Sequence, residues 1–344
     1  MNVRHLAGPV PPLAGAPGET PGGPYDADII ILTLDRTEET LAAIASARAQ
    51  TGLAAHVFVL DQGSSAEGLA RLRAAAEGSG NVTLLAVERN LGVAAGRNLL
   101  SGLGHGRVII GLDNDATFAT AETAASLVRA LDAEPRLGAV GCRILTRDGS
   151  ADDLSSWGYP ASLLPCAAES FDAVTFVGAG HAIRRAAWEQ AGGYDPALFF
   201  CWEEYDFCLR AIALGWRVRY RGDIAVHHAV SAERRVGWSE SRWFHAVRNR
   251  LYIERKQDRS WLALAPRVGG YLVKGVRNGM AWQTVRAIRA AAAMGGPEAA
   301  LPRVAGPGWL YLQRNDRAHR GSLLRRLMRE VLTRPVAAAS PINR

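Results

Sequence analysis

Long apolar runs are missing from this chain. The most apolar stretches, such as Ala54 to Leu60 and Val108 to Leu112, fall far short of the ~20 residues that span a bilayer, so no spanning helix is expected. The start lacks the basic-then-apolar order of a secretion signal. Instead, Gly8 to Pro24 reads as Pro/Gly-rich coil, and residues 1–25 are expected to be disordered. A cytoplasmic protein is the resulting expectation. Paired cysteines are missing as well: Cys142, Cys166, Cys201 and Cys208 show no C-x-x-C spacing. This argues against zinc or a disulfide framework and for ordinary buried thiols. Carboxylates are scarce only at the back, where residues 231–344 hold 7 Asp+Glu against 22 Lys+Arg. Residues 1–230 hold 26 against 18, so a mildly acidic front carries a strongly basic rear, and two different jobs are implied.

What is present is a normal apolar share, 48% of 344 residues, enough for a domain with a substantial appendage. Short apolar runs alternate with helical spacing through the first half. Strands are predicted over Ile29–Leu32, Val57–Leu60, Val82–Val87 and Val108–Leu112. Helices are predicted over Glu38–Gln50, Ala66–Glu77 and Val93–Leu103. Gly138–Leu145 reads as a further strand, Ser150–Asp172 as a long irregular connection and Thr175–Ile183 as extended. Arg185–Ala191 and Glu204–Leu214 read as helices, Arg217–Tyr220 and Asp223–Val226 as short strands. Such alternation predicts an α/β fold with a mostly parallel sheet, whose ligands sit beyond the carboxyl ends of the strands. The boundaries expected are 26–238 for this domain and 239–344 for a basic helical C-terminal region.

Asp113-Asn114-Asp115 follows the most apolar strand directly. Two carboxylates flanking one residue can share a hard divalent ion, Mg²⁺ or Mn²⁺, of the kind that also binds phosphates. An isolated D-x-D is more often only a polar turn; the strand in front of it and the motifs around it reverse that balance. Glu203, Glu204 and Asp206 crowd what reads as a helix start, where the macrodipole favours negative charge. Helix capping could account for one of the three, and a carboxylate acting as a base for another.

Several motifs, in this order, resemble the family-2 glycosyltransferases. Val59-Leu60-Asp61-Gln62-Gly63-Ser64-Ser65 is similar to that family's V-D-N-G-S-S turn, and Arg89 to Asn98 to its N-x-G-x-A-x-A-R-N segment. Asp113-Asn114-Asp115 stands at its D-x-D, Gly192-Gly193-Tyr194-Asp195 with Phe199-Phe200 at its G-G-F-D…F-F, and Glu203 to Arg210 at its E-D-x-D-L-C-x-R helix. The resemblance runs from about Asp28 to about Lys256. It implies a GT-A fold (Rossmann-like, mostly parallel) with a helical C-terminal extension, and inverting transfer of a sugar from a UDP-, dTDP- or GDP-linked donor. Thr33, Asp35, Asp61, Asn90, Gly92, Arg97, Asn98, Asp113, Gly178 and Glu203 would then hold the nucleotide sugar. Asp113, Asp115 and His227 would hold Mg²⁺ or Mn²⁺. Glu204 would be the general base, with Asp206 as its rival because Glu replaces the family's more frequent Asp.

Some features depart from that pattern. Asp35 stands where the family has Asn, and Ser239-Glu240-Ser241-Arg242-Trp243 lacks the Gln of the processive Q-x-x-R-W. Single transfer is therefore expected, as in relatives with an R-N helix like Arg248-Asn249. Trp157, Trp202 and Trp238 lie near the acceptor side in sequence, and the role of His181 stays open. A sugar nucleotidyltransferase is one alternative, though Thr33 to Glu38 lacks the glycine-rich loop it needs. A non-catalytic nucleotide-sugar or membrane-surface binding protein is the other. Nucleic acid is not an expected partner, because the front portion is acidic. The acceptor could be a glycan, a lipid-linked glycan or a small metabolite. The basic rear, residues 239–334, is expected to touch the inner face of an anionic membrane peripherally, through the mixed pattern of Val276 to Arg289 and Leu323 to Arg329.

Overall fold

The computed structural model describes residues 12–15, 25–229, 239–294 and 302–322. Its centre is a single ten-stranded sheet. The first elements are β1 (Pro12–Gly15), β2 (Ala27–Thr33), α1 (Thr37–Arg48), β3 (Ala55–Asp61), α2 (Ala66–Ala76), β4 (Val82–Ala86) and α3 (Gly92–Leu103). Next come β5 (Val108–Asp113), β6 (Ala116–Phe118), α4 (Thr123–Asp132), β7 (Leu137–Thr146), β8 (Ser170–Ala173), β9 (Gly180–Arg184), α5 (Arg185–Ala191), α6 (Glu203–Ala213) and β10 (Arg217–His228). Four helices close the described chain: α7 (Glu240–Lys256), α8 (Trp261–Arg277), α9 (Ala281–Ala293) and α10 (Gly306–Asn315).

The strand runs are almost unbroken in apolar residues because both faces of the sheet are covered. Ile29 and Ile31 of β2, Val57 and Val59 of β3 and Ile110 of β5 pack with α1, α2 and α4. Their alternates Ile30, Phe58, Leu60 and Ile109 pack with α3, α5 and α6 on the other face. A period of two thus sorts one strand into two cores. Strands β4, β3, β2 and β5 run parallel in that spatial order. The chain winds outward from β2 to β4 and then returns to the other side of β2 as β5. The order therefore reverses between β2 and β5, the place where open α/β sheets bind ligands. Beyond β5 the sheet is mixed: β9 is antiparallel to β5 and β7, and β10 is parallel to β7.

Three differences from expectation have physical causes. The four residues of β1 add a strand to the open edge of β4, whose unpaired backbone groups outweigh the coil preference of the Pro/Gly-rich stretch. The two short strands expected between Arg217 and Val226 form one long β10, joined across an irregularity between Arg221 and Ala225. Helix α4, absent from the predicted elements, is short and has no side-chain cap at Glu122, so its start carries no local signal, although seven of its ten residues are buried.

The C-terminal helices form a core of their own from Trp243, Val247, Leu251, Leu264, Ala287 and Ala291. Ser239 and Ser260 cap α7 and α8 by accepting from Arg242 N and Ala263 N. The expected segment Leu323 to Arg329 lies outside the described residues.

Candidate active site

Register brings the carboxylates level. Leu32 pairs with Asp113 and Thr33 with Asp61, so the ends of β2, β3 and β5 open on one crevice. Asp61 is buried and ties its own turn: Gly63 N and Ser64 N donate to Oδ2, 3.2 and 3.1 Å. Its Oδ1 is buried with no protein partner. Asp35 and Arg36 both take left-handed backbone, φ 54°. Asp35 N donates to Ser64 Oγ and Asp35 Oδ1 accepts from Ser65 N, joining the ends of β2 and β3. Thr33 Oγ1 and Thr40 Oγ1 lie 2.8 Å apart, and Asn114 Nδ2 donates to both, 3.3 Å each. Asn90 Oδ1 accepts from Gly92 N, 2.7 Å. A Cβ on Gly92 would lie 2.5 Å from Phe199, so only glycine lets that loop close on α3.

Arg97 is the hub. Buried on α3, it donates to Asp113 Oδ1 at 2.7 Å, to Glu204 Oε1 at 3.1 Å and to the Gly178 carbonyl at 2.9 Å. Burial opposes its charge, but Asp113, Tyr194 and the two neighbouring glutamates outweigh it, so its pKa is raised. A Cβ at Gly178 would sit 2.5 Å from Glu204 Oε1 and push that carboxylate aside. Burial pushes the Glu204 carboxyl up, with Arg97 pulling the other way. Glu203 is pushed well above its usual range, by burial first and Glu204 next, and its Oε2 has no protein partner.

The loop that launches α6 is strained. Phe199, Cys201 and Trp202 have φ of 61°, 74° and 72°, a region costly for residues with side chains. Asn249 of α7 collects it: Nδ2 donates to the carbonyls of Leu198, Phe200 and Cys201 at 2.8–2.9 Å. Trp202 is pinned to the same helix through Nε1 to the Ala246 carbonyl, 3.0 Å, and lies under the Arg250 guanidinium.

Asp115 meets a guanidinium and an imidazole. Arg36 donates to its Oδ2, and His228 Nε2 lies 3.2 Å from its Oδ1. Asp113, Asp115 and His228 each offer a ligand atom, all within 4.8 Å of one another. This set fits a divalent ion. Asp153 Oδ2, 2.9 Å from His228 Nδ1, draws the ring proton to that nitrogen. The Nε2 lone pair then faces a carboxylate oxygen, an apposition of acceptors that a cation relieves. His228, not His227, is thus the histidine at this cluster. Neighbours on a strand point to opposite faces, and the His227 ring lies instead beside Gly149, whose Cβ would be 3.0 Å from Nε2.

Two other expected residues turn away from the crevice. Asp206 is fully buried and paired with Arg210, 2.9 Å, and Lys256, 2.8 Å, so it faces the interior. Asn98 spends its amide on the Tyr194 backbone, donating to O at 2.8 Å and accepting from N at 2.9 Å. His181 is also interior: it stacks on Phe176 with ring centroids 4.4 Å apart, and burial holds its pKa well down. Sequence reasoning missed Asp153, which sits in an irregular connection without a motif, and missed His228 by one position.

Residues 28–191 match the family described as glycosyl transferase family 2. Succinoglycan biosynthesis protein ExoU from Rhizobium meliloti (strain 1021) is 36% identical over 99 residues. That match covers 29% of this chain and 29% of the relative's own length. The mannosyltransferase PcManGT from Pyrobaculum calidifontis, solved in complex with GDP-Man and Mn²⁺, superposes with a TM-score of 0.53 at 18% identity, over 88% of this chain and 82% of that one. GalNAc-T7, solved with UDP, GalNAc and Mn²⁺, gives 0.57 at 17% identity, over 90% and 56%. At such identities the likeness is one of fold, and that fold is GT-A. Residues 28–191, laid on this scaffold, carry the likeness to glycosyl transferase family 2.

Proposed function

We propose that this protein is an inverting, single-transfer glycosyltransferase that moves a sugar from a UDP-, dTDP- or GDP-linked donor to an acceptor hydroxyl. The observation that carries the reading is Arg97, which gathers Asp113 and Glu204 around one point at the strand ends. Asp61, with its unpartnered oxygen, is placed to accept from the nucleotide base, and the Thr33–Arg36 loop borders the diphosphate. Asp113, Asp115 and His228 would hold a divalent ion, and the imidazole favours Mn²⁺ over Mg²⁺. Such an ion, when bound, offsets the charge that develops on the departing diphosphate.

Glu204 keeps a face toward the crevice, with 15% of its side chain exposed, and takes the proton of the acceptor hydroxyl. The acceptor oxygen bonds to the anomeric carbon from the side opposite the diphosphate. The old C–O bond breaks with its electron pair leaving on the nucleotide, and the configuration inverts. Arg97 holds the Glu204 carboxylate in position throughout. Glu204→Gln should retain donor binding by calorimetry while transfer slows by ~10²–10⁴-fold, the range for a lost acid–base group. Proton coupling constants of donor and product read the stereochemistry; retained configuration refutes the mechanism.

A further inference from the structure

Helix α8 is apolar on two opposite sides, yet among the described residues only one of them is covered. Leu264, Val268, Tyr271 and Gly275 face the C-terminal core. Leu262, Pro266, Leu272, Val273 and Val276 form the reverse stripe and lie in the open, Leu262 at 85% and Val276 at 67%. A surface helix ordinarily turns polar residues outward. Next to it, α9 exposes Trp282, at 64%, and Val285, which with Phe244, Arg286, Arg289 and Ala290 line a hollow of about 310 Å³. From Trp261 to Met294 the chain has Arg267, Lys274, Arg277, Arg286 and Arg289 and no carboxylate at all.

We propose that the α8–α9 hairpin is a docking face for an anionic lipid bilayer, which it enters to interfacial depth without crossing. No described helix is long and apolar enough to cross a membrane. An exposed apolar stripe bordered by arginines is the composition of a segment lying in the headgroup plane, and an exposed Trp is the side chain enriched there. The absence of any acid over the hairpin makes the face complementary to negative headgroups. The long stems of Arg286 and Arg289 can lie along apolar surface while their guanidinium groups reach phosphates. Val276 and Val285 are exposed as the sequence pattern anticipated, whereas Met280 and Ile288 pack against the C-terminal core. This inference stands apart from the transfer reaction, and its test needs no substrate.

The test is co-sedimentation of the full chain with phosphatidylcholine vesicles and with vesicles containing 30% phosphatidylglycerol, at low and at high salt. Binding to the anionic vesicles alone, weakened by salt because surface attraction decays over ~8 Å at physiological strength, is the expected result. Arg286→Glu/Arg289→Glu should reduce that binding by roughly tenfold or more, since each basic residue near the surface contributes about a fivefold gain. Trp282→Ser should reduce it at both salt concentrations. All three positions are exposed or line an open hollow, so an unchanged thermal midpoint serves as the control for folding. Equal binding to neutral vesicles overturns the proposal. Binding to neither does so too, as would follow if residues 323–344 or a second copy of the chain covered the face.

Discussion

Three carboxylates within four positions share the start of α6, and their surroundings divide the labour among them. Asp206 is enclosed by Arg210 and Lys256, so its charge is part of the interior. Asp206→Asn leaves two buried cations short of a partner and is expected to cost about 3 kcal/mol of stability, read as a lowered denaturation midpoint. The molecules that remain folded should transfer at close to the native rate. A loss of rate without a loss of stability would transfer the base role from Glu204 to Asp206. Glu204 has its carboxyl raised by burial, with Arg97 opposing. A base must be ionised to accept a proton, so turnover should fall with decreasing pH through a point above the usual glutamate range. A kcat profile checks this, and Glu204→Gln should abolish that limb.

At the scale of elements, β10 decides which histidine reaches the crevice. Its last residues pair with β6, His228 opposite Ala116 and His227 opposite Thr117, and the pleat sends consecutive rings to opposite faces. His228→Ala should weaken Mn²⁺ affinity by about 10–100-fold, the size seen when a metal site loses a supporting group, and His227→Ala should leave it nearly unchanged. Metal titration of the two variants compares them directly. Legibility follows the same lines. The D-x-D, the Asp61 turn and the α3 arginine were readable because strand ends and glycine turns leave short local signatures. Choosing between His227 and His228 needs the phase of a long strand, and reading that segment as two short strands concealed the phase. Asp153 reaches His228 from a stretch with no periodicity, and Asn98 carries a motif identity while binding backbone. Such long-range pairings are fixed only by packing.

For the whole molecule, buried polar contacts cross the boundary expected near residue 238. Lys256 of α7 pairs with Asp195 and Asp206, Asn249 gathers the Leu198–Cys201 carbonyls, and Tyr311 of α10 donates to the carbonyls of Ala173 and Val218. The acidic front and basic rear are thus joined by buried polar contacts. A chain ending at residue 238 keeps every motif of the GT-A layer but should lose transfer activity and melt at a lower temperature than the full chain. Donor hydrolysis and thermal denaturation of the two chains are the comparison, and full activity in the shortened chain would show the helices to be a mere appendage.

The strained loop ahead of α6 has a consequence for synthesis on the ribosome. Domains take shape as the chain emerges, amino end first, and the sheet with its D-x-D is complete before α7 has been made. The Phe199 carbonyl is already held by Val93 N and Ala94 N of α3, whereas the carbonyls of Leu198, Phe200 and Cys201 wait for Asn249. The strand-end carboxylates and Arg97, which holds Glu204, are thus translated first, and the loop into α6 gains its last carbonyl partner from a helix made after every residue it braces.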